Sequence, residues 1–303
     1  MISLETFIRR AAERMEQAGL HFGHGTDNAL DEACWLASAA LGLSPDFGPE
    51  AYSVVLDDEQ LSRAESLLDE RVTSRKPLAY LVGEAWLAGL SFEVNESVLV
   101  PRSPLAELIV DGFEPWLADE QLKRAVDIGT GSGCLAVALA VHRPGVEVDA
   151  LDVSPKAVAL AQRNANRHGV ADRVCCLESD LLAAVAGQRY DLILANPPYV
   201  PESSMAGLPP EYRHEPSLGL VAGSDGLDLV RRLLIDAPAH LNEHGILVCE
   251  VGEAAEALQN LLGEVCELVW IEFAHGGDGV FLLDYPSCLA AARHLSGSGL
   301  LPR

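Results

Sequence analysis

Positive charge is what this 303-residue chain has least of: 21 Lys and Arg stand against 45 Asp and Glu, a formal net charge of −24. So acidic a surface repels phosphate backbones, whose binding depends on Lys and Arg displacing counterions, and this argues against a nucleic-acid substrate. It attracts basic partners and speeds their encounter, although acidity also serves plain solubility. Long apolar runs are missing too. No stretch of about 18 uncharged apolar residues occurs, so no membrane span is expected. The N-terminal "MISLETFIRRAAERMEQ" alternates charged and apolar residues at helical spacing and lacks the unbroken apolar centre of a signal peptide. The seven cysteines are scattered, mostly inside apolar runs, and the adjacent Cys175 and Cys176 lack metal or redox spacing. Reduced, buried thiols in a cytoplasmic protein are expected.

With 49% hydrophobic residues, the chain has enough apolar material for a sizeable core. Residues 1–75 read as helical: Leu4, Phe7, Ile8, Ala11, Ala12 and Met15 recur at three- and four-residue steps, and Thr26, Asp27 or Asn28 can cap a second helix. A third helix is expected over Asp58 to Ser74. Residues 76–100 are rich in Val, Leu and aromatics and punctuated by Gly83, Gly89 and Asn95, the signature of connecting strands and a hairpin. Residues 101–285 alternate strands and helices, which implies an α/β, doubly wound sheet with ligands at the carboxyl ends of its strands. The segment 286–303 reads as a flexible tail.

"VDIGTGSGCLA" places Asp127 at a strand end, followed by Gly129, Thr130, Gly131, Ser132 and Gly133 before a helix. The spacing is neither the G-x-G-x-x-G of dinucleotide binders nor a P-loop, since no Gly-Lys-Ser/Thr follows. An acid at this position repels a pyrophosphate but tolerates an ammonium or sulfonium. Asp152, closing the next strand, is placed to accept ribose hydroxyls. Asp180, after the third strand, is within reach of an adenine amino group. Singly, each acid is as readily a cap or turn residue. Together, at successive strand tips beside a glycine loop with no phosphate binder, they fit S-adenosylmethionine.

The fourth strand, "YDLILA", ends in Asn196, Pro197, Pro198 and Tyr199. A carboxamide nitrogen is a poor nucleophile because its lone pair is delocalised. A site that methylates it must accept hydrogen bonds from both N–H groups and aim the lone-pair face at the methyl carbon. The Asn196 side-chain oxygen and the Pro197 carbonyl are two such acceptors, and prolines donate nothing that competes. Tyr199 can pack on the planar group or lie near a sulfonium. A bare Asn-Pro is more often a turn; behind an apolar strand and a matching glycine loop, the catalytic reading of Asn196, Pro197 and Tyr199 is preferred.

"DIGTGSG" with "NPPY" resembles the amino-methyltransferases. The segments "KPLAYLVGEAWLAGLSFEVNESVLVPRSPLAELI", "SLGLVAGSDGLDLVRRLL" and "GILVCEVGE" are similar to the HemK-type protein-(glutamine-N5) methyltransferase family. "FGHGTDNALDEA", "GEAWLAGLSF" and "VPRSPLAELI" resemble its PrmB branch, which acts on the third protein of the large ribosomal subunit. The sister PrmC branch, acting on release factors, usually has Arg-Pro-Asp-Thr-Glu where this chain has Arg102, Ser103, Pro104, Leu105, Ala106 and Glu107. The resemblance implies a Rossmann-like S-adenosylmethionine-dependent methyltransferase sheet with a small helical substrate-recognition domain, and S-adenosylhomocysteine as product. It implies that Gly129 to Gly133, Asp152 and Asn196 bind cofactor and that Asn196 to Tyr199 bind the target glutamine. The cofactor set is completed by Asp127, Asp180 and Leu181, the last standing where many relatives carry an aromatic over the adenine. The release-factor reading and, with less support, nucleic-acid adenine methylation are the alternatives. The expected partner is a basic ribosomal protein, free or early in assembly, with no DNA, membrane or metal. "HLNEH", His240 to His244, matches a zinc pattern but reads as a helix end running into a strand.

Overall fold

The structure is a computed structural model and describes residues 2–44 and 47–297. Three helices build the N-terminal unit: α1 (Leu4–Gln17), α2 (Ala29–Leu41) and α3 (Asp58–Ser74). Their starts follow from local chemistry. Ser3, Asn28 and Asp57 each accept a backbone N–H of the first turn, and Asp57 forms a full capping box with Gln60. The apolar stripe expected on α1 is the one buried, and it joins Leu36, Leu56 and Leu68 in a separate small core. "LAYLV", expected to be extended, is instead the five-residue helix α4 (Leu78–Val82). Its Leu78 belongs to the N-terminal core and its Ala79 to the main core, so α4 is the joint between the two. The hairpin follows as β1 (Glu84–Leu87) and β2 (Leu90–Glu93), turned at Ala88 and Gly89.

Beyond α5 (Leu105–Asp111) come β3 (Arg124–Ile128), α6 (Cys134–His142), β4 (Glu147–Asp152), α7 (Pro155–Arg167), β5 (Val174–Glu178) and β6 (Tyr190–Ala195). The chain continues through α8 (Asp228–His240), β7 (Leu241–Glu250), α9 (Ala255–Leu262), β8 (Val269–Trp270), β9 (Val280–Asp284) and α10 (Tyr285–Gly297). The seven strands form one sheet in the order β5-β4-β3-β6-β7-β9-β8. The first five are parallel, and β9 and β8 add antiparallel. Both faces are covered, which is why strand interiors such as "LILA" read as unbroken apolar runs. Leu192 and Leu194 pack with α5, α6 and α7, whereas Ile193 and Ala195 pack with α8 and α9.

The flexible tail needs correction in part. Residues 286–297 belong to helix α10, which buries Cys288, Ala291 and Leu295 in the second core; its apolar positions at three- and four-residue steps account for the docking. The remainder, 298–303, lies outside the described residues. The cysteines are all free, but only Cys249 and Cys288 are buried and Cys175 is exposed, because β5 is an edge strand. No helix among the described residues is long and apolar enough to cross a membrane.

Candidate active site

β3 and β6 are neighbours in register, with Asp127 opposite Leu194 and Ile128 opposite Ala195. The glycine loop and Asn196 therefore leave the sheet side by side. A Cβ placed on Gly129 would lie 3.8 Å from the Asn196 carbonyl oxygen. Gly129, Gly131 and Gly133 take φ of +71°, +57° and +79°, the left-handed region that side chains disfavour. Gly133 is further constrained, since an added Cβ would come within 2.8 Å of the Ala161 Cβ on α7. Gly133→Ala is expected to destabilise the fold by about 2–4 kcal/mol from left-handed strain and overpacking. A urea titration should show this as a lower midpoint.

The acids tie this loop down. Asp127 is buried, and its Oδ2 accepts the Thr130 hydroxyl at 2.6 Å while Oδ1 has no hydrogen-bond partner among the described residues. Burial pushes its carboxyl up to about 6, against the pull of the Thr130 hydroxyl and the Ala136 backbone N–H. Asp152 accepts Gly131 N–H at 2.9 Å on one oxygen and Ser154 N–H at 2.8 Å on the other. Burial raises its pKa, and the two amides oppose the rise. A carboxylate has about four lone-pair sites, so these bonds leave acceptor capacity for ribose hydroxyls. Asp180 is exposed and its Oδ2 takes a 2.7 Å bond from Arg232 on α8. Leu181 has φ +50° and sits nearly buried at the margin of the second core.

These residues fit a nucleoside carrying a positive centre. The loop has three left-handed glycines, an orphaned buried carboxylate oxygen at its base, a Gly131 N–H already given to Asp152 and, among the described residues, no Lys or Arg hydrogen-bonded to it, all of which disfavour a phosphate.

At the next strand tip, Asn196 is partly exposed and its side chain makes no hydrogen bond to the described residues. Pro197 is buried and Pro198 half-buried. Tyr199 is half-buried, and its hydroxyl donates to Glu250 Oε1 at 3.0 Å. Burial first, and the Glu250 charge second, raise the pKa of the phenol. Glu250 closes β7 and was not singled out from the sequence. The signal was present, since an acid ends an apolar strand there just as at Asp127 and Asp152.

Also unread in the sequence was a buried ionic clamp between β6 and α8. The short 3-10 turn Pro210–His214 and the following Glu215 wedge between the N-terminal helices and the segment before α5. Glu211, with no exposed surface, accepts His21 N–H at 3.0 Å and pairs with Arg75 at 2.8 Å. Glu215 takes both arms of Arg102, at 2.6 and 2.8 Å, and the Val100 N–H at 3.0 Å. Tyr212 lies between them, its ring 4.7 Å from that of His24 and 5.4 Å from the Arg102 guanidinium carbon. Nothing in "EYRHEPS" has a period that announces these contacts. The histidines of "HLNEH" point elsewhere: His240 meets the Gln188 carbonyl and His244 meets Asp191.

Residues 111–207 match the family model of the methyltransferase small domain, and residues 7–83 match that of the PrmC N-terminal domain. The chain is 48% identical to the ribosomal protein uL3 glutamine methyltransferase of Xanthomonas campestris pv. campestris over 95% of this chain and 93% of that protein. It is 45% identical to the protein of the same name from Bordetella pertussis, over 93% of this chain and 94% of that one. Among solved structures, the catalytic domain of hMettl16 in complex with MAT2A 3'UTR hairpin 6 is similar with a TM-score of 0.52 at 21% identity, covering 83% of this chain and 91% of that one, a likeness of fold alone. The glycine loop, the strand-tip acids and the Asn-Pro-Pro-Tyr turn thus belong to a chain that is similar along nearly its whole length to proteins of one kind, and it is a member of the ribosomal protein uL3 glutamine methyltransferase family.

Proposed function

We propose that this chain transfers a methyl group from S-adenosylmethionine to the side-chain amide nitrogen of a glutamine in ribosomal protein uL3, releasing S-adenosylhomocysteine. The observation that carries this reading is the adjacency of a phosphate-free glycine loop and an uncommitted carboxamide, Asn196, at neighbouring strand tips. Gly129 to Gly133, with Asp127 and Asp152, would hold the cofactor along the ends of β3 and β4. Asp180 and Leu181 would meet its adenine once Asp180 turns from Arg232. Asn196 serves both partners, at the edge of the cofactor site and on the glutamine.

S-adenosylmethionine supplies a methyl carbon made electrophilic by its sulfonium. The protein's part is positioning and electrostatics. The Asn196 side-chain oxygen and the Pro197 carbonyl accept the two amide N–H groups, which fixes the carboxamide plane and presents the nitrogen's lone-pair face. Tyr199 supports the plane from one side. The amide proton leaves after transfer, when the nitrogen is strongly acidic, so the site needs no dedicated base. The helical N-terminal unit, joined through Arg75 and His21 to Glu211 in the segment after Tyr199, is the natural reader of the protein around the glutamine.

Net charge sets the stage at which the substrate is met. A basic ribosomal protein is drawn to a chain of net charge −24, while RNA wrapped around it repels the enzyme. Free uL3 is therefore expected to be methylated at least about tenfold faster than uL3 in mature subunits at low salt. Initial rates on the two substrates check this; equal rates would contradict it. The substrate itself is tested by mass spectrometry of uL3 and of the release factors from cells lacking the gene. Loss of a glutamine methyl from uL3 alone is expected, and loss from a release factor instead would overturn the assignment.

A further inference from the structure

The geometry points to Glu250 as a positioning residue for methyl transfer: its carboxylate, held by Ser103, fixes the ring of Tyr199 and through it the Asn196–Tyr199 loop. This rests on the reading of that loop as the glutamine-binding element. Cys249 pairs in register with Ala195, so Glu250 leaves the sheet next to Asn196. Its side chain is 6% exposed. Each oxygen accepts one hydroxyl, Tyr199 at 3.0 Å on Oε1 and Ser103 at 2.6 Å on Oε2. Among the described residues no cation bonds it, and the Arg102 guanidinium is committed to Glu215. A buried carboxylate supported by two neutral donors costs stability that an apolar side chain of the same size would not. Such local conflicts mark positions shaped by function.

Backbone bonds hold the loop at its exit, where Val200 N–H donates to the Leu220 carbonyl at 2.8 Å, but the side chains of residues 196–199 make few bonds of their own. Asn196 donates and accepts nothing with its side chain, the prolines have no side-chain donor, and Tyr199 Oη to Glu250 is the one side-chain hydrogen bond of residues 196–199 among the described residues. Packing completes the fixation. Gly252, at φ +45°, lies against the ring, and a Cβ there would sit 2.5 Å from Tyr199 Cε2. Gly226 leaves room for the Tyr199 carbonyl, which would be 2.2 Å from an added Cβ. The ring is pinned by a bond at its tip and by contact along one edge. A shift of its tip would move the Pro197 carbonyl and Asn196 with it, and misplacement of an acceptor by about 1 Å can cost about a hundredfold in rate.

The test is a double-mutant cycle on methyl transfer to uL3, with thermal unfolding and S-adenosylmethionine affinity measured on every variant. Glu250→Ala and Tyr199→Phe should each lower kcat by about 10- to 100-fold, the range for partners that orient a reacting group, with cofactor affinity unchanged. The double variant should be no worse than the poorer single one. Glu250→Gln, which keeps an acceptor and the side-chain length, should recover a large part of the Glu250→Ala loss and guards against a variant that merely unfolds. Multiplying losses, or a Glu250→Gln variant as slow as Glu250→Ala, would overturn the assignment of Glu250. An inactive wild type would remove the glutamine-binding reading, and the proposal with it, which separates the two failures.

Discussion

Asn196→Ala is expected to lower methyl transfer by about 10²- to 10³-fold, the cost of removing one preorganised hydrogen-bonding group from a reacting centre. Affinity for S-adenosylmethionine should fall by no more than a few-fold, because Asn196 only borders the cofactor site, whose main holders, the glycine loop and Asp152, follow β3 and β4. The folded state should also be unaffected, since the Asn196 side chain is partly exposed and hydrogen-bonded to none of the described residues. Three readouts check this together: single-turnover rate, cofactor titration and melting temperature. A rate within a few-fold of wild type would mean that the carboxamide does not hold the substrate amide. A parallel loss of cofactor affinity would assign Asn196 to the donor side alone.

Arg102→Ala is expected to have the largest effect on stability. It leaves Glu215, whose side chain has no exposed surface, without the fork that neutralises it. Breaking one half of a buried ion pair costs about 3–5 kcal/mol. Replacing both partners, Arg102→Met with Glu215→Gln, should cost less, because the new amide can still accept the Val100 N–H. The clamp also has a pH signature. Burial alone would raise the Glu215 carboxyl, but His24, the Arg102 hydrogen bonds and the Arg102 charge outweigh it and hold the group at about 2, against an ordinary value of 4.5. His24 Nε2 stands 3.5 Å from the carboxylate. A group whose folded pKa is depressed contributes stability that is complete above its unfolded pKa and lost as pH falls through the folded one. The stability gap between wild type and Glu215→Gln should therefore be widest above about pH 5 and close between pH 4.5 and 2. Because the clamp joins the helical unit to the loop after Tyr199, Arg102→Ala should also slow modification of intact uL3. Chemical denaturation at several pH values, with uL3 methylation in parallel, reads both effects.

The parts of this molecule that follow from short-range rules were legible in its sequence. Of the three candidate caps Thr26, Asp27 and Asn28, Asn28 is the one used, and Asp58 to Ser74 is helical over the expected span, because caps and periodicity act within a few residues. The strand tips carrying Asp127, Asp152 and Asn196 were legible because glycine and proline stop an apolar strand in a way nothing else does. What escaped depends on residues far apart in the chain. Glu215 meets Arg102 across 113 positions and Ser103 meets Glu250 across 147, and no local pattern encodes either. Helix α4 is five residues long, too short for its period to be told from a strand. Helix α10 was obscured by the Ser- and Gly-rich residues that follow it. Asp180 shows a third kind of gap: sequence placed it at the right strand tip, but not its ion pair with Arg232.

The reaction itself can be read by fragmenting uL3 after incubation with this protein and S-adenosylmethionine. The proposed grip of Asn196 and Pro197 predicts one methyl group, on the side-chain amide nitrogen of a single glutamine, absent when Asn196→Ala replaces the wild type. A methyl on a lysine, a carboxylate or a nucleic-acid base, with no glutamine modified, would contradict a site built to grip a carboxamide.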